Sequence, residues 1–87
     1  MKEKYMITEK QLETVDKATK MINKLPGGKD IKVFRSLTGT VRLQDDRNEE
    51  TQKHTRMFCI CKGDSQKKIM EMMMKAYKEI RIACEGK

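Results

Sequence analysis

Tryptophan is absent from this sequence, and the 87 residues hold only two phenylalanines and two tyrosines. So few rings argue against a platform on which several nucleobases stack, the usual way single strands are read. Histidine is nearly absent as well. His54 has no carboxylate near it in sequence and no plausible nucleophile partner. The paired carboxylates Asp45-Asp46 and Glu49-Glu50 fall in a polar, turn-prone stretch, where exposed acids keep ordinary pKa values. A chain this short has little room for a sheltered pocket of converging polar groups. The expectation is a protein that is not an enzyme and uses no cofactor.

No apolar run approaches the roughly 20 residues that span a bilayer. The opening stretch, Met1 to Met6, carries no apolar segment of the signal-peptide kind. Cysteine is scarce and odd in number: Cys59, Cys61 and Cys84 show no disulfide spacing. These absences point to a cytoplasmic, reducing location away from membranes. Zinc sites usually separate paired cysteines by two to four residues on a turn, and Cys59-x-Cys61 separates them by one. Cys84 and His54 complete a four-ligand set only on paper. The cysteines read as small buried hydrophobes, and no metal is expected.

Charge, by contrast, is abundant. Lys and Arg number 20 and Asp and Glu 13, a formal net charge of +7, and charged residues make up 38% of the chain against 37% apolar. The surplus is spread over the whole length: residues 1–30 carry seven bases and five acids, 31–63 seven and four, 64–87 six and four. An evenly basic domain suits a polyanion, whether nucleic acid, an acidic protein face or an anionic membrane surface, although surplus lysine also simply keeps a small protein soluble.

The apolar residues are periodic, which argues for one small folded domain. After a frayed lead-in over residues 1–6, Thr8 stands at a helix N-cap with Gln11 placed to close a capping box, and Ile7 can staple to Leu12. Leu12, Val15, Thr19, Ile22 and Leu25 share one face of a helix over about 8–25, which Pro26-Gly27-Gly28 stops. From Ile31 the period becomes two: Ile31, Val33, Leu37, Val41 and Leu43 read as a strand over about 31–44. Gly39 either bends one long strand, the preferred reading because parity survives across it, or sits in a tight turn that splits the run in two.

The chain then returns as a strand over about 51–62. With the hairpin centred near Arg47–Asn48, Leu37 faces Phe58 and Val41 faces His54, and the polar far end projects as a charged arm. Gly63-Asp64-Ser65 leads into a helix over about 65–84, with Gly86 available as its stop. Its core face is Ile69, Met72, Met73, Ala76, Tyr77, Ile80, Ala83 and Cys84. The fold class is α+β: helix, long antiparallel hairpin or three-strand meander, helix, with both helices on one face of the sheet.

Two surfaces could do work. Lys67 and Lys68 lie in the first turn of the last helix, where backbone N–H groups and the helix dipole also favour phosphate. Arg35, Arg42, Arg47, Lys53 and Arg56 line the hairpin. Met70, Met74 and Ile82 stand off the core face at i, i+4 and i+12, a second apolar strip suited to adaptable contacts with a partner or a second copy of the chain, or else an extension of a wide core face.

The order helix, strand meander, last helix entered through Gly63-Asp64-Ser65-Gln66-Lys67-Lys68 resembles the double-stranded RNA-binding domain over roughly residues 8–84. That resemblance implies a role for Lys67 and Lys68 in gripping phosphates. Glu71 stands where the family's third lysine falls, and the family's glycine- and histidine-bearing loop has no counterpart here.

Two functions follow. One is a nucleic-acid-binding module, duplex rather than single strand, led by phosphate contacts. The other is a protein-interaction module, an inhibitor or adaptor of the kind carried by phages and mobile elements. It would use the charged hairpin and the Met-rich helix against an acidic or nucleic-acid-binding partner, with a homodimer through the Met strip.

Overall fold

The capping box at Thr8 forms as the sequence implies. Gln11 N–H donates to Thr8 Oγ1 at 3.1 Å, and Thr8 N–H donates to Gln11 Oε1 at 2.9 Å. From there α1 runs over Glu9–Asn23. The structure is a computed structural model that describes residues 7–85. The lead-in expected at 1–6 and the stop expected at Gly86 lie outside the described residues. The buried face of α1 is Gln11, Thr14, Val15, Ala18 and Ile22. Leu12, Thr19 and Leu25, expected in the core, are only half-buried. The helix is thus rotated toward its smaller side chains, which lets it lie close against the last helix.

Three antiparallel strands follow in the order β1-β2-β3: β1 Ile31–Arg35, β2 Thr40–Asp45 and β3 Arg56–Cys59. The preference for one long bent strand over 31–44 is therefore corrected in favour of the three-strand meander. Gly39 is the reason. Its φ is +96°, and a Cβ there would lie 2.3 Å from the carbonyl oxygen of Ile60. Its N–H closes a tight turn onto Ser36 O, and its own carbonyl accepts from Ile60 N–H. Only glycine tolerates both the backbone conformation and the approach.

The expected return strand over 51–62 is corrected as well. A short helix, α2 Glu49–Gln52, interrupts it. Asn48 caps α2 in a box with Thr51, and two acids occupy its first turn. The register moves with it: Val41 pairs with Phe58 and Arg42 with Met57, not Val41 with His54 or Leu37 with Phe58. The shift is four residues, so parity is kept and Phe58 still shares the inner face with Val33 and Val41. Leu37 is left exposed in the β1–β2 turn.

No charged arm projects from this end. Asp45, expected on an exposed turn with an ordinary pKa, is 1% exposed. Its carboxylate accepts from the Arg47 backbone N–H at 3.0 Å and from the Arg47 guanidinium at 3.0 Å, with the Cys84 thiol 3.7 Å away. Its backbone carbonyl accepts from the Thr51 hydroxyl. The polar stretch thus folds back onto the end of the sheet because its buried acid is fully satisfied.

The last helix, α3, spans Gln66–Glu85. Both long helices lie on one face of the sheet, α1 over β1 and α3 over β2 and β3, and they pack against each other. The core joins Val15, Ala18 and Ile22 to Ile31, Val41, Leu43 and Ile60 and to Ile69, Met73, Ala76, Tyr77 and Ile80. Met72 and Cys84 reach it only at half-burial, and Ala83, expected with them, is half-buried beside it without joining it. No helix among the described residues is long and apolar enough to cross a membrane.

Burial pushes the Asp45 carboxyl up, but the Arg47 backbone N–H, guanidinium and charge together bring it below the ordinary aspartate value. A folded pKa below the unfolded one adds stability that is present above the unfolded value and is lost as pH falls through the folded value. Asp45→Asn should therefore cost about 1–3 kcal/mol at neutral pH. The gap to the parent protein should close below about pH 4. Urea denaturation at stepped pH measures it, and a gap that is constant with pH would contradict the assignment.

Candidate functional site

Gln11 builds the most polar end of the molecule. Its Oε1 completes the cap of α1, which frees Nε2 to face the opposite way. Nε2 donates to the carbonyls of Cys61 at 3.0 Å, Lys62 at 2.9 Å and Asp64 at 3.1 Å. One buried amide therefore ties the start of α1 to the loop between β3 and α3. The β1–β2 turn joins the same end, because Ile7 N–H donates to Leu37 O and Ile60 N–H to Gly39 O.

The loop is also held from inside. Asp64 Oδ2 accepts from Cys61 N–H at 2.9 Å, and Asp64 Oδ1 lies 3.2 Å from Lys68 Nζ. The Cys61 N–H, and after it the Lys68 ammonium, hold the Asp64 carboxyl below its ordinary value. Ser65 Oγ accepts from Lys68 N–H, which makes Ser65 the cap of α3.

Between these parts lies a shallow depression lined by Lys10, Gln11, Lys62, Asp64 and Gln66, with Thr8 and Thr14 along one side. Lys67 and Lys68 follow Gln66 on α3. Lys10, Lys62 and Lys67 are exposed and have no carboxylate partner among the described residues. Lys67 and Lys68 were expected to contribute. Lys10 and Lys62 were missed, because the partners of Gln11 lie some fifty residues away and periodicity carries no trace of them.

The hairpin bases do not join this end as a group. Arg35 holds Asp16 with two nitrogens, at 2.9 and 3.2 Å. Arg47 is engaged by Asp45 and Lys53 by Glu50, while Arg56 reaches Glu79 at 3.2 Å. Arg42 alone among them has no carboxylate. It lies on the uncovered face of the sheet, its guanidinium carbon 4.4 Å from the centre of the Phe34 ring.

The Met strip is also divided. Met70 and Met74 line a groove with Met21 of α1, whereas Ile82 lies in a separate depression with Arg56, Glu79 and Ala83. Twelve residues along a helix turn 120° past the starting direction, so Ile82 cannot share the side that Met70 occupies. Cys59 and Cys61, expected buried, are both exposed free thiols; burial and then the Asp45 charge push the half-buried Cys84 thiol up. No group of three or more His, Cys, Asp or Glu gathers among the described residues. His54 is half-buried just after α2.

Comparison of the chain with protein-family models, with curated proteins and with solved structures gives no match. The element order is helix, three strands and last helix, with α2 inserted between β2 and β3.

Gln11→Leu keeps the bulk of the side chain but removes its hydrogen bonds. It should cost about 1–3 kcal/mol and leave the carbonyls at 61, 62 and 64 without this donor. The expected result is a lower urea midpoint together with faster amide exchange over residues 61–65. Unchanged exchange there would remove Gln11 from its role as the clamp.

Proposed function

We propose that this protein is a non-catalytic binding module that takes nucleic-acid phosphates at the end where α1 and α3 begin. The observation that carries the reading is the Gln11 clamp, which sets Lys10 and Lys62 around one depression beside Lys67 and Lys68. Two capped helix starts add partial positive charge at the same end. Only Asp64 offsets them in the loop, and Lys68 and Cys61 N–H already hold it. Flexible lysines follow a phosphate backbone without fixing a sequence, so the binding is backbone-led and weakens with salt. The net charge of +7 supports the same partner class.

A second reading has its own observation. Met21 of α1 joins Met70 and Met74, which are half-buried against the core, in a groove edged by charged residues of α3. Such a groove suits a protein partner or a second copy of the chain.

Fluorescence anisotropy separates the two readings. Lys10→Glu with Lys62→Glu, and Lys67→Glu with Lys68→Glu, should each weaken binding of duplex RNA or DNA by about tenfold or more and flatten its salt dependence by about one unit of slope per lost contact. Met74→Asp should leave duplex binding unchanged. If the lysine reversals have no effect, the phosphate reading fails; if only Met74→Asp changes the mass seen by light scattering, the groove is the working surface.

A further inference from the structure

The helices cover one face of the sheet and leave the other open. On the open face stand Lys32 and Phe34 of β1, Thr40, Arg42 and Gln44 of β2, and Met57 and Cys59 of β3, since their neighbours in each strand point into the core. Phe34 pairs across with Arg42, and Arg42 with Met57, so the three form one row over the whole width of the sheet. Phe34 is 44% exposed and Met57 61%. No strand residue on this face is acidic: the one strand carboxylate, Asp45, points inward, and two acids of outward parity, Asp30 and Asp46, lie beyond the strand ends away from the β1–β2 turn, where Asp46 holds the Gln44 amide at 2.7 Å.

We infer that this row is a seat for one unpaired nucleobase of a strand whose phosphates run toward the lysine end. The inference rests on the nucleic-acid reading above, but a different surface carries it. The Arg42 guanidinium carbon stands 4.4 Å from the centre of the Phe34 ring and no carboxylate engages it among the described residues, so the pair offers a base a cation and a ring together. Guanidinium planes and phenyl rings are both surfaces on which unpaired bases stack. Within the strands, Lys32 and Arg42 stand on this face with no acid beside them, and the flanking Asp30 and Asp46 lie at the end away from the lysines, so the charge favours a nucleic-acid strand running toward the β1–β2 turn. The position is continuous with the lysine end: the next outward row toward the β1–β2 turn is Thr40 and Cys59, and Lys62 follows three residues beyond Cys59. A single ring seats a single base, in keeping with the scarcity of aromatics in the chain.

The test compares a short oligothymidylate with an abasic oligonucleotide of the same length and charge, both dye-labelled, in anisotropy with the full chain. The expected result is tighter binding of the oligothymidylate by about tenfold, the value of one stacked base. Phe34→Leu should abolish that preference while leaving abasic binding unchanged. The double reversal of Lys67 and Lys68 should weaken both ligands equally and keep the ratio. Equal affinity for the two strands in the parent protein would overturn the base seat while the phosphate reading stands. Binding of neither strand would overturn the base seat, and would overturn the phosphate reading too if the duplexes also fail to bind; polyglutamate binding that is lost in Arg42→Glu would overturn the base seat in favour of an acidic protein.

Discussion

A single side-chain amide joins parts of the molecule that the backbone ladders leave apart. Gln11 uses its oxygen to finish the cap of α1 and its nitrogen to hold three carbonyls of the loop ahead of α3. Packing alone does not replace either half, because an apolar side chain at this position would leave the cap half made and remove a donor from each of the three carbonyls, of which Cys61 alone keeps the Asp64 N–H. The relative placement of the two helix starts follows from it, and the gathering of Lys10, Lys62, Lys67 and Lys68 follows in turn. Four of the lysines that the sequence spreads along the chain are thereby brought to one end, with Glu9 and Asp64 among them.

The opposite end is organised by a buried charge. Asp45 takes the Arg47 backbone and guanidinium and lies beside the Cys84 thiol, so the loop, α2 and the end of α3 converge on it. This explains why bases that look available in the sequence are not. Arg47 is committed to Asp45, and Arg35, Lys53 and Arg56 each have a carboxylate of their own. Exposed pairs of this kind add little stability, but they cancel charge locally. Of the bases that the sequence singled out, Lys67 and Arg42 are without a carboxylate among the described residues, while Lys68 holds Asp64.

Much of the fold was legible because it is written in short-range pattern. Thr8 and Gln11 mark the first cap, the odd-numbered run from Ile31 marks the inner face of two strands, and Ile69, Met73 and Ile80 mark the buried side of α3. What was not legible depends on longer-range terms. Parity survives a two-residue turn, so alternation alone could not place the break at Gly39; the decisive contact is with Ile60, far along the chain. The signal for α2 was present, since Asn48 and Thr51 have capping spacing with Glu49 and Glu50 between them, but the acids read equally well as a hairpin tip. Of the expected site residues, Lys67 and Lys68 stand where the sequence put them. The hairpin bases scattered because ion-pair partners such as Asp16 and Glu79 lie on other elements. Phe34 has the even parity of an outward residue, whereas its stacking on Arg42 came only with the register.

The most direct test of the central claim is a nitrogen–proton correlation spectrum of the labelled protein titrated with a short duplex. The account predicts that the shifted amides cluster at residues 8–11 and 61–68, the two helix starts and the loop that Gln11 clamps between them. Shifts confined to residues 45–55, at the Asp45 end, would contradict it.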